Sequence, residues 1–133
     1  MKRLFVAVAV ALVALGCTGD PNSARGVGGA FVDAHYVRID LEASKELCTG
    51  VARDKVLREI ELTSDIAIEG DTQRPRIYYD LTEERGTDEA VQLVYELTIH
   101  APGLDPYEKL TVVTVRQYDG AWLVSNYVEM DPR

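Results

Sequence analysis

Residues 110–130, with the sequence LTVVTVRQYDGAWLVSNYVEM, decide the class of fold. Apolar and polar side chains largely alternate on both sides of Asp119-Gly120, and this dipeptide predicts a β-hairpin with a two-residue turn. Because the turn sets the register, the expected cross-strand pairs are Tyr118 with Ala121, Val115 with Val124, Val113 with Asn126, and Thr111 with Val128. One face of the hairpin would carry Val113, Val115, Trp122, Val124 and Val128, with Asn126 as its polar exception.

The same period of two continues upstream of the hairpin. Alternating apolar residues predict a strand with one dry face over residues 89–100. They are Val91, Leu93, Tyr95, Leu97 and Ile99. An earlier strand is predicted around Ile77, Tyr79 and Leu81, and a loop with two prolines separates residues 89–100 from the hairpin. The carboxyl-terminal half is therefore expected to form four antiparallel strands.

Residues before about position 63 follow helical spacing instead. The first predicted helix covers residues 30–41, where Ala30, Ala34, Val37 and Leu41 form one apolar stripe. Shorter and longer helices are predicted over residues 43–50 and 51–62. Helices followed by strands predict an α+β domain, in which amino-terminal helices pack on a curved, mainly antiparallel four-stranded sheet.

This order of elements and the closing Asp119-Gly120-Ala121-Trp122-Leu123-Val124 resemble the nuclear transport factor 2-like superfamily, also called cystatin-like. The resemblance spans residues 28–131 and implies a cone-shaped domain. Enzymes of that superfamily, such as ketosteroid isomerase and scytalone dehydratase, place acids, tyrosines and histidines in the mouth of the cone. Because a fold alone does not supply a function, the residues of this chain must be considered directly.

The nearest candidate for chemistry lies on the first predicted helix. Asp33, Tyr36 and Asp40 lie within about 60° of one another around an ideal helix. A tyrosine beside a carboxylate in an apolar cavity can polarise a carbonyl group or transfer a proton. A solvated acidic helix edge is the alternative, and we favour it. The other pocket candidates, which can equally serve as core, are Tyr79, Tyr95, Trp122 and Asn126.

The amino terminus has the layout of an export signal. Lys2 and Arg3 precede an apolar run at residues 4–15, which is shorter than the roughly 20 residues that a membrane span needs. Ala14-Leu15-Gly16-Cys17 resembles the bacterial lipobox, although Ala14 stands where leucine is usual. The resemblance implies cleavage of a signal peptide at residues 1–16 and lipidation of Cys17. Thr18 by the same resemblance favours the outer membrane; a secreted or periplasmic protein and an uncleaved anchor are the alternatives.

The mature chain is expected to be a tether followed by one acidic domain. Residues 17–29 contain four glycines and a proline, which predicts a flexible tether, so the domain is expected at residues 30–133. Cleavage removes Lys2 and Arg3 from the 14 basic residues and none of the 22 acidic ones, leaving a net charge of about −10. This charge argues against nucleic acid as a partner, because binding to phosphates needs a basic face.

No metal or cofactor motif stands out. His35 and His100 have no cysteine or second histidine at ligand spacing, which argues against zinc, and a phosphate-binding loop is lacking. If Cys17 is lipidated, Cys48 has no partner within the chain and is expected to be buried and inert.

We therefore expect a lipid-anchored binding or accessory domain of the bacterial cell envelope, with no cofactor. The expected partner is a small apolar ligand or an envelope protein, and a homodimer is also considered. The alternative is a small isomerase, dehydratase or hydrolase of the ketosteroid-isomerase kind that uses a pocket near Tyr36 and Asp40.

Overall fold

The computed structural model describes residues 20–64 and 74–132. Its helical part consists of α1 (Ala24–Val32), a π-helical segment (Asp33–Val37), α2 (Leu41–Glu46) and α3 (Gly50–Thr63). The strands are β1 (Arg76–Gly86), β2 (Ala90–His100), β3 (Tyr107–Tyr118) and β4 (Ala121–Met130). The predicted export signal and Cys17 lie outside the described residues. None of the described helices has the length and apolar composition needed to cross a membrane.

The four strands form one antiparallel sheet in the order β1-β2-β3-β4, which is curved and does not close. The helices cover one face of it. The core between them contains fully buried side chains of both layers, namely Phe31, Val32, Val56, Leu93, Val113, Val115 and Val124. The predicted α+β class, with helices packed on a four-stranded curved sheet, is confirmed.

The first helix begins earlier than the sequence predicted. Ser23 caps it, since its side chain accepts a hydrogen bond from the backbone of Gly26 at 3.0 Å, and Ala24 and Val27 are buried. The predicted tether boundary at residue 29 is thereby corrected, because residues 24–29 belong to α1. The glycines that suggested a tether include Gly28, which is buried where the helix approaches Leu93 of the sheet.

The predicted continuous helix over residues 30–41 is interrupted. After Val32 the helix widens into the π segment, and Ile39 then adopts a positive φ of 52°. Such a φ is an outlier for a β-branched residue, so the chain is strained at this corner. Asp40 begins the next helix by accepting a hydrogen bond from the backbone of Ala43 at 3.1 Å. A periodic stripe cannot indicate a π segment, because its wider turn shifts every following side chain.

The hairpin has the predicted turn but not the predicted register throughout. Tyr118 pairs with Ala121 and Val115 with Val124, as expected. Ser125 then forms a β-bulge, so the predicted pairs of Val113 with Asn126 and of Thr111 with Val128 are wrong. Val113 pairs with Tyr127 and Thr111 with Glu129. The inserted residue reverses which side chains face inward: Tyr127 is 5% exposed and Val128 is 44% exposed.

Candidate functional site

Three polar side chains from three different elements meet between the helices and the sheet. Nε2 of His35, on the π segment, lies 2.8 Å from Oε2 of Glu59, on α3. The hydroxyl group of Tyr127, on β4, donates a hydrogen bond to Oε1 of Glu59 across 2.5 Å. An ionised carboxylate only accepts hydrogen bonds, so Nε2 of His35 is a donor here. We call these three residues the Glu59 cluster.

One side of the Glu59 cluster is buried and the other side is exposed to solvent. The side chain of His35 is only 6% exposed, whereas that of Glu59 is 37% exposed. The imidazole ring stacks on Phe31 with 5.1 Å between ring centroids, and the rings of Tyr36 and Tyr127 lie at 4.5 Å and 5.0 Å. Within the described ranges, Nδ1 of His35 is buried without a hydrogen-bond partner. The cluster therefore connects the aromatic core to the surface.

The pKa of the Glu59 carboxyl is lowered from its usual value. Partial burial works in the opposite direction, but the hydrogen bonds from His35 and Tyr127 and the charge of Lys55 favour the ionised form and prevail. Burial, together with the hydrogen bond to Glu59 and its charge, raises the pKa of the Tyr127 phenol. The tyrosine thus stays protonated as a donor and the glutamate stays ionised as an acceptor.

Lys55 holds the other side of Tyr127. Its ammonium group donates hydrogen bonds to Oδ1 of Asn126 at 2.9 Å and to the backbone carbonyl of Tyr127 at 2.7 Å. It also lies 5.1 Å from the centroid of the Tyr127 ring, within cation–π range. Lys55 and Glu59 are four residues apart on α3, so one helix face fixes both the backbone and the hydroxyl group of Tyr127.

Tyr36 is separated from the carboxylates that the sequence placed beside it. Its buried hydroxyl group lies 3.1 Å from Oγ1 of Thr111 on β3, and burial raises the pKa of its phenol. Asp33 forms an ion pair with Arg38 at 2.7 Å, and Asp40 caps α2. The structure therefore does not assemble Asp33, Tyr36 and Asp40 into one acid–tyrosine group.

A groove opens where the strained corner at Ile39 meets the end of α3. Its volume is about 390 Å³, and it is lined by Ile39, Asp40, Leu41, Glu42, Ile60, Thr63 and Ser64. Leu41 and Ile60 pack against the core. The acidic residues at its edge are already engaged, since Asp40 caps a helix and Glu42 contacts Lys45 at 2.6 Å. The groove therefore offers apolar contacts beside carboxylates held by local partners.

The pocket residues predicted from the sequence are dispersed. Asp40 lines the groove, and none of the other five does. Tyr79 on β1 and Tyr95 on β2 form an edge-to-face pair with 6.0 Å between their ring centroids. Trp122 packs against the core, and Asn126 is bound to Lys55. In the part of the chain that the structure describes, no group of three His, Cys, Asp or Glu residues is placed to hold a metal ion.

Sequence reasoning missed Glu59, Lys55 and Tyr127 as a set. Glu59 follows the buried Ala52 and Val56 by seven and three residues. A carboxylate at that position of a buried stripe was a usable signal, because it needs a partner inside the domain. Tyr127 carried no such signal, since a regular hairpin would place Asn126 on the inner face instead.

Comparison with known proteins identifies the fold. No protein-family model matches the sequence, and no curated protein sequence matches it. An NTF-2-like protein of unknown function from Shewanella oneidensis MR-1 is 12% identical with a TM-score of 0.58, covering 79% of this chain and 93% of that one. A putative calcium/calmodulin-dependent protein kinase type II association domain from Thiobacillus denitrificans is 10% identical with a TM-score of 0.62, covering 82% and 94%.

The VirB8 protein of Agrobacterium tumefaciens has the same architecture, with 13% identity and a TM-score of 0.56 over 82% of this chain and 90% of that one. At such low identity these similarities establish a nuclear transport factor 2-like fold and nothing about activity.

Proposed function

We propose that the chain is a lipid-anchored domain of the bacterial cell envelope that binds a small apolar ligand without transforming it. One observation carries the proposal: the groove at the Ile39 corner has apolar walls, while the ionisable groups nearby are engaged in local contacts. Ligand pockets are usually concave, mostly apolar and roughly 300–1,000 Å³ in volume. A volume of about 390 Å³ lies in that range.

The state of the polar groups favours binding over catalysis. A general acid or base must reach the reacting atom of the substrate and exchange a proton near the working pH. The Tyr36 hydroxyl group faces Thr111, and the raised pKa of its phenol opposes proton loss. Glu59 is held by two donors that lower its pKa. Neither group is free to act on a ligand in the groove.

The binding site is tested by filling the groove. In the full chain, Thr63→Trp places a large side chain into the groove, whereas Leu57→Trp introduces the same side chain at an exposed position of α3 outside it. Nile red, a neutral apolar dye, serves as the probe. We expect saturable binding to the parent chain and to the Leu57→Trp variant, and at least about a tenfold loss of affinity for Thr63→Trp, equal to about 1.4 kcal/mol. Equal affinities in all three would overturn the proposal.

The enzyme alternative has a distinct result. An isomerase, dehydratase or hydrolase that used this region would turn over a substrate, and Tyr36→Phe or Asp40→Asn would abolish that turnover. Screening the purified chain against hydrophobic ketones, alcohols and esters with both variants tests this. Turnover lost in either variant would contradict a purely binding role.

The lipid anchor rests on the lipobox resemblance at Cys17, and the outer membrane on Thr18. Metabolic labelling with an alkynyl fatty acid should label the parent chain and the Cys48→Ala variant but not Cys17→Ser. Cys48→Ala is the matched control because it removes the other cysteine of the chain. Equal labelling of all three would contradict anchoring at Cys17, and fractionation of the labelled protein would distinguish the two membranes.

A further inference from the structure

The two edges of the sheet differ in how their backbone groups are covered. The outer edge of β4 is covered by the segment between α2 and α3, since the Thr49 amide donates to the Val124 carbonyl at 2.8 Å and the Val124 amide donates to the Leu47 carbonyl at 2.8 Å. At the opposite edge, no strand among the described residues pairs with the outer side of β1. Unpaired backbone groups on such an edge are a template for another strand.

The irregularity that opposes such pairing lies in only one half of β1. A bulge lies between Leu81 and Glu83, and Glu83 and Arg85 are charged beyond it. Proteins use bulges and charges to block edge-to-edge contact. Between Pro75, which has no amide hydrogen, and this bulge, the six-residue segment of residues 76–81 is regular. It exposes Tyr78, a residue that is 60% accessible to solvent.

The sequence of this segment is complementary to itself in one antiparallel register. With Tyr78 opposite Tyr78 of a second copy, Arg76 lies opposite Asp80, and Ile77 lies opposite Tyr79. Each of these two pairs of unlike residues occurs twice because of the two-fold symmetry. Opposite charges and aromatic–β-branched pairs stabilise adjacent antiparallel strands. Arg76, Tyr78 and Asp80 share the face away from the helices, so the register also keeps the two helical layers on one side.

The neighbouring registers are poorer. Sliding one copy by two residues places Tyr78 opposite either Arg76 or Asp80 and removes the Arg76–Asp80 pairs. A further shift places Asp80 opposite Asp80, where like charges repel. In registers that pair odd-numbered with even-numbered residues, the apolar side chains that face the helices in one copy lie opposite side chains that face away from the helices in the other copy.

We propose that two copies of the chain associate edge to edge through residues 76–81 of β1, centred on Tyr78, and form one eight-stranded antiparallel sheet. The occupant of the open edge is a second copy because the Arg76–Asp80 charge pairing and the Ile77–Tyr79 contact are both satisfied by the segment itself. The groove at Ile39 is lined by none of these residues, so the dimer and ligand binding are separate properties.

Cysteine cross-linking of the full chain tests the register. Directly opposed residues of antiparallel strands have Cα atoms about 4.5–5.5 Å apart, within the span of a disulfide. In detergent micelles with copper phenanthroline as oxidant, Tyr78→Cys should form a covalent dimer on a non-reducing gel. Tyr118→Cys, at an exposed tyrosine of the β3–β4 turn, is the matched control and should cross-link at least about tenfold more slowly, because nothing aligns it with its copy.

Charge reversal tests the pairing itself. In the Tyr78→Cys background, Arg76→Glu or Asp80→Lys alone should reduce cross-linking about tenfold, since each change creates two repulsive pairs in the dimer. The double variant exchanges the charges and should restore it. Both residues are exposed, so folding is retained. Cross-linking of Tyr78→Cys no faster than of Tyr118→Cys, or a double variant as slow as the single ones, would overturn the proposal.

Discussion

The hydroxyl group of Tyr127 donates a hydrogen bond to Oε1 of Glu59 across 2.5 Å and so joins the last strand to the third helix. The bulge at Ser125 makes this contact possible, because it places Tyr127 rather than Asn126 on the inner face of β4. His35 binds the other oxygen of the same carboxylate. One side chain of α3 therefore connects the π segment, the helix layer and the sheet.

The first prediction concerns this hydrogen bond. Tyr127→Phe should lower the free energy of unfolding by about 1–2 kcal/mol. Hydrogen bonds to charged groups contribute about 1.5–3 kcal/mol, and the loss lies at the lower end because Glu59 can be partly rehydrated. Urea denaturation followed by circular dichroism measures the loss. Tyr118→Phe, which removes a hydroxyl group from an exposed tyrosine, should change stability by less than about 0.5 kcal/mol. A similar loss of stability in both variants would contradict a stabilising hydrogen bond between Tyr127 and Glu59.

The second prediction concerns pH. The groups facing Glu59 are His35, Tyr127 and Lys55, and together they lower the pKa of its carboxyl. A carboxyl with a lowered pKa stabilises the fold above its unfolded pKa of about 4.3, and this contribution is lost as the pH falls through the folded value. Glu59→Gln should therefore be less stable than the parent at about pH 6, with the gap narrowing towards about pH 3.

Glu61→Gln is the control for that experiment, because it removes the same charge from an exposed position of α3. The difference in free energy of unfolding between Glu61→Gln and the parent should stay small over the whole pH range. A Glu59→Gln gap that did not change between the two ends of the pH range would show that ionisation of this carboxyl is not coupled to folding.

The third prediction compares two adjacent glycines of α1. A Cβ atom on Gly28 would lie 2.4 Å from Cδ1 of the fully buried Leu93 and 3.0 Å from the Tyr95 hydroxyl oxygen, whereas one on Gly29 would meet nothing within 4 Å. Gly28→Ala should destabilise the domain by about 1–3 kcal/mol through overpacking. Gly29→Ala should stabilise it by about 0.5–1 kcal/mol, because alanine favours the helix. Thermal unfolding of both variants measures the difference. Stability changes of the same sign in the two variants would refute the close approach of α1 to the sheet.

The fourth prediction concerns Cys48. Burial raises the pKa of its thiol to about 12, and its Sγ atom donates to the Ser44 carbonyl at 3.2 Å. At about pH 8 only about one thiol in ten thousand would then be ionised, so a disulfide reagent should react with it only when the domain opens. The assay uses the Cys17→Ser chain, in which Cys48 is the remaining cysteine. Rapid modification under native conditions, compared with the urea-unfolded chain, would contradict its burial.

Much of the architecture was predictable from residue periodicity. The alternation around Asp119-Gly120 predicted the last hairpin, and the change of period after residue 63 predicted helices followed by strands. Burial of Cys48 was also expected from its apolar neighbourhood and is confirmed. Lipidation of Cys17 remains a prediction. These expectations depend on neighbouring residues alone, which is why a single sequence supports them.

The candidate site was much less predictable. Asp33, Tyr36 and Asp40 are close on an ideal helix, but the chain passes through a π segment and a strained corner at Ile39. Asp33 and Asp40 bind partners nearby in the chain, whereas the Tyr36 hydroxyl group reaches Thr111 on β3. The groove exists because of that corner, which no periodic pattern indicates. Local partners prevailed because an Asp–Arg ion pair and a helix cap form between residues close in the chain.

The sequence by itself determined the fold class, the order of helices and strands and the position of the hairpin turn, because side-chain periodicity reports which local face can be buried. Only the tertiary structure decided that His35, Glu59 and Tyr127 meet, since they are 24 and 68 residues apart in the chain. One extra residue at Ser125 exchanged Asn126 for Tyr127 on the inner face. A bulge of this kind is stabilised by the long-range packing that it permits, so the local sequence does not reveal it.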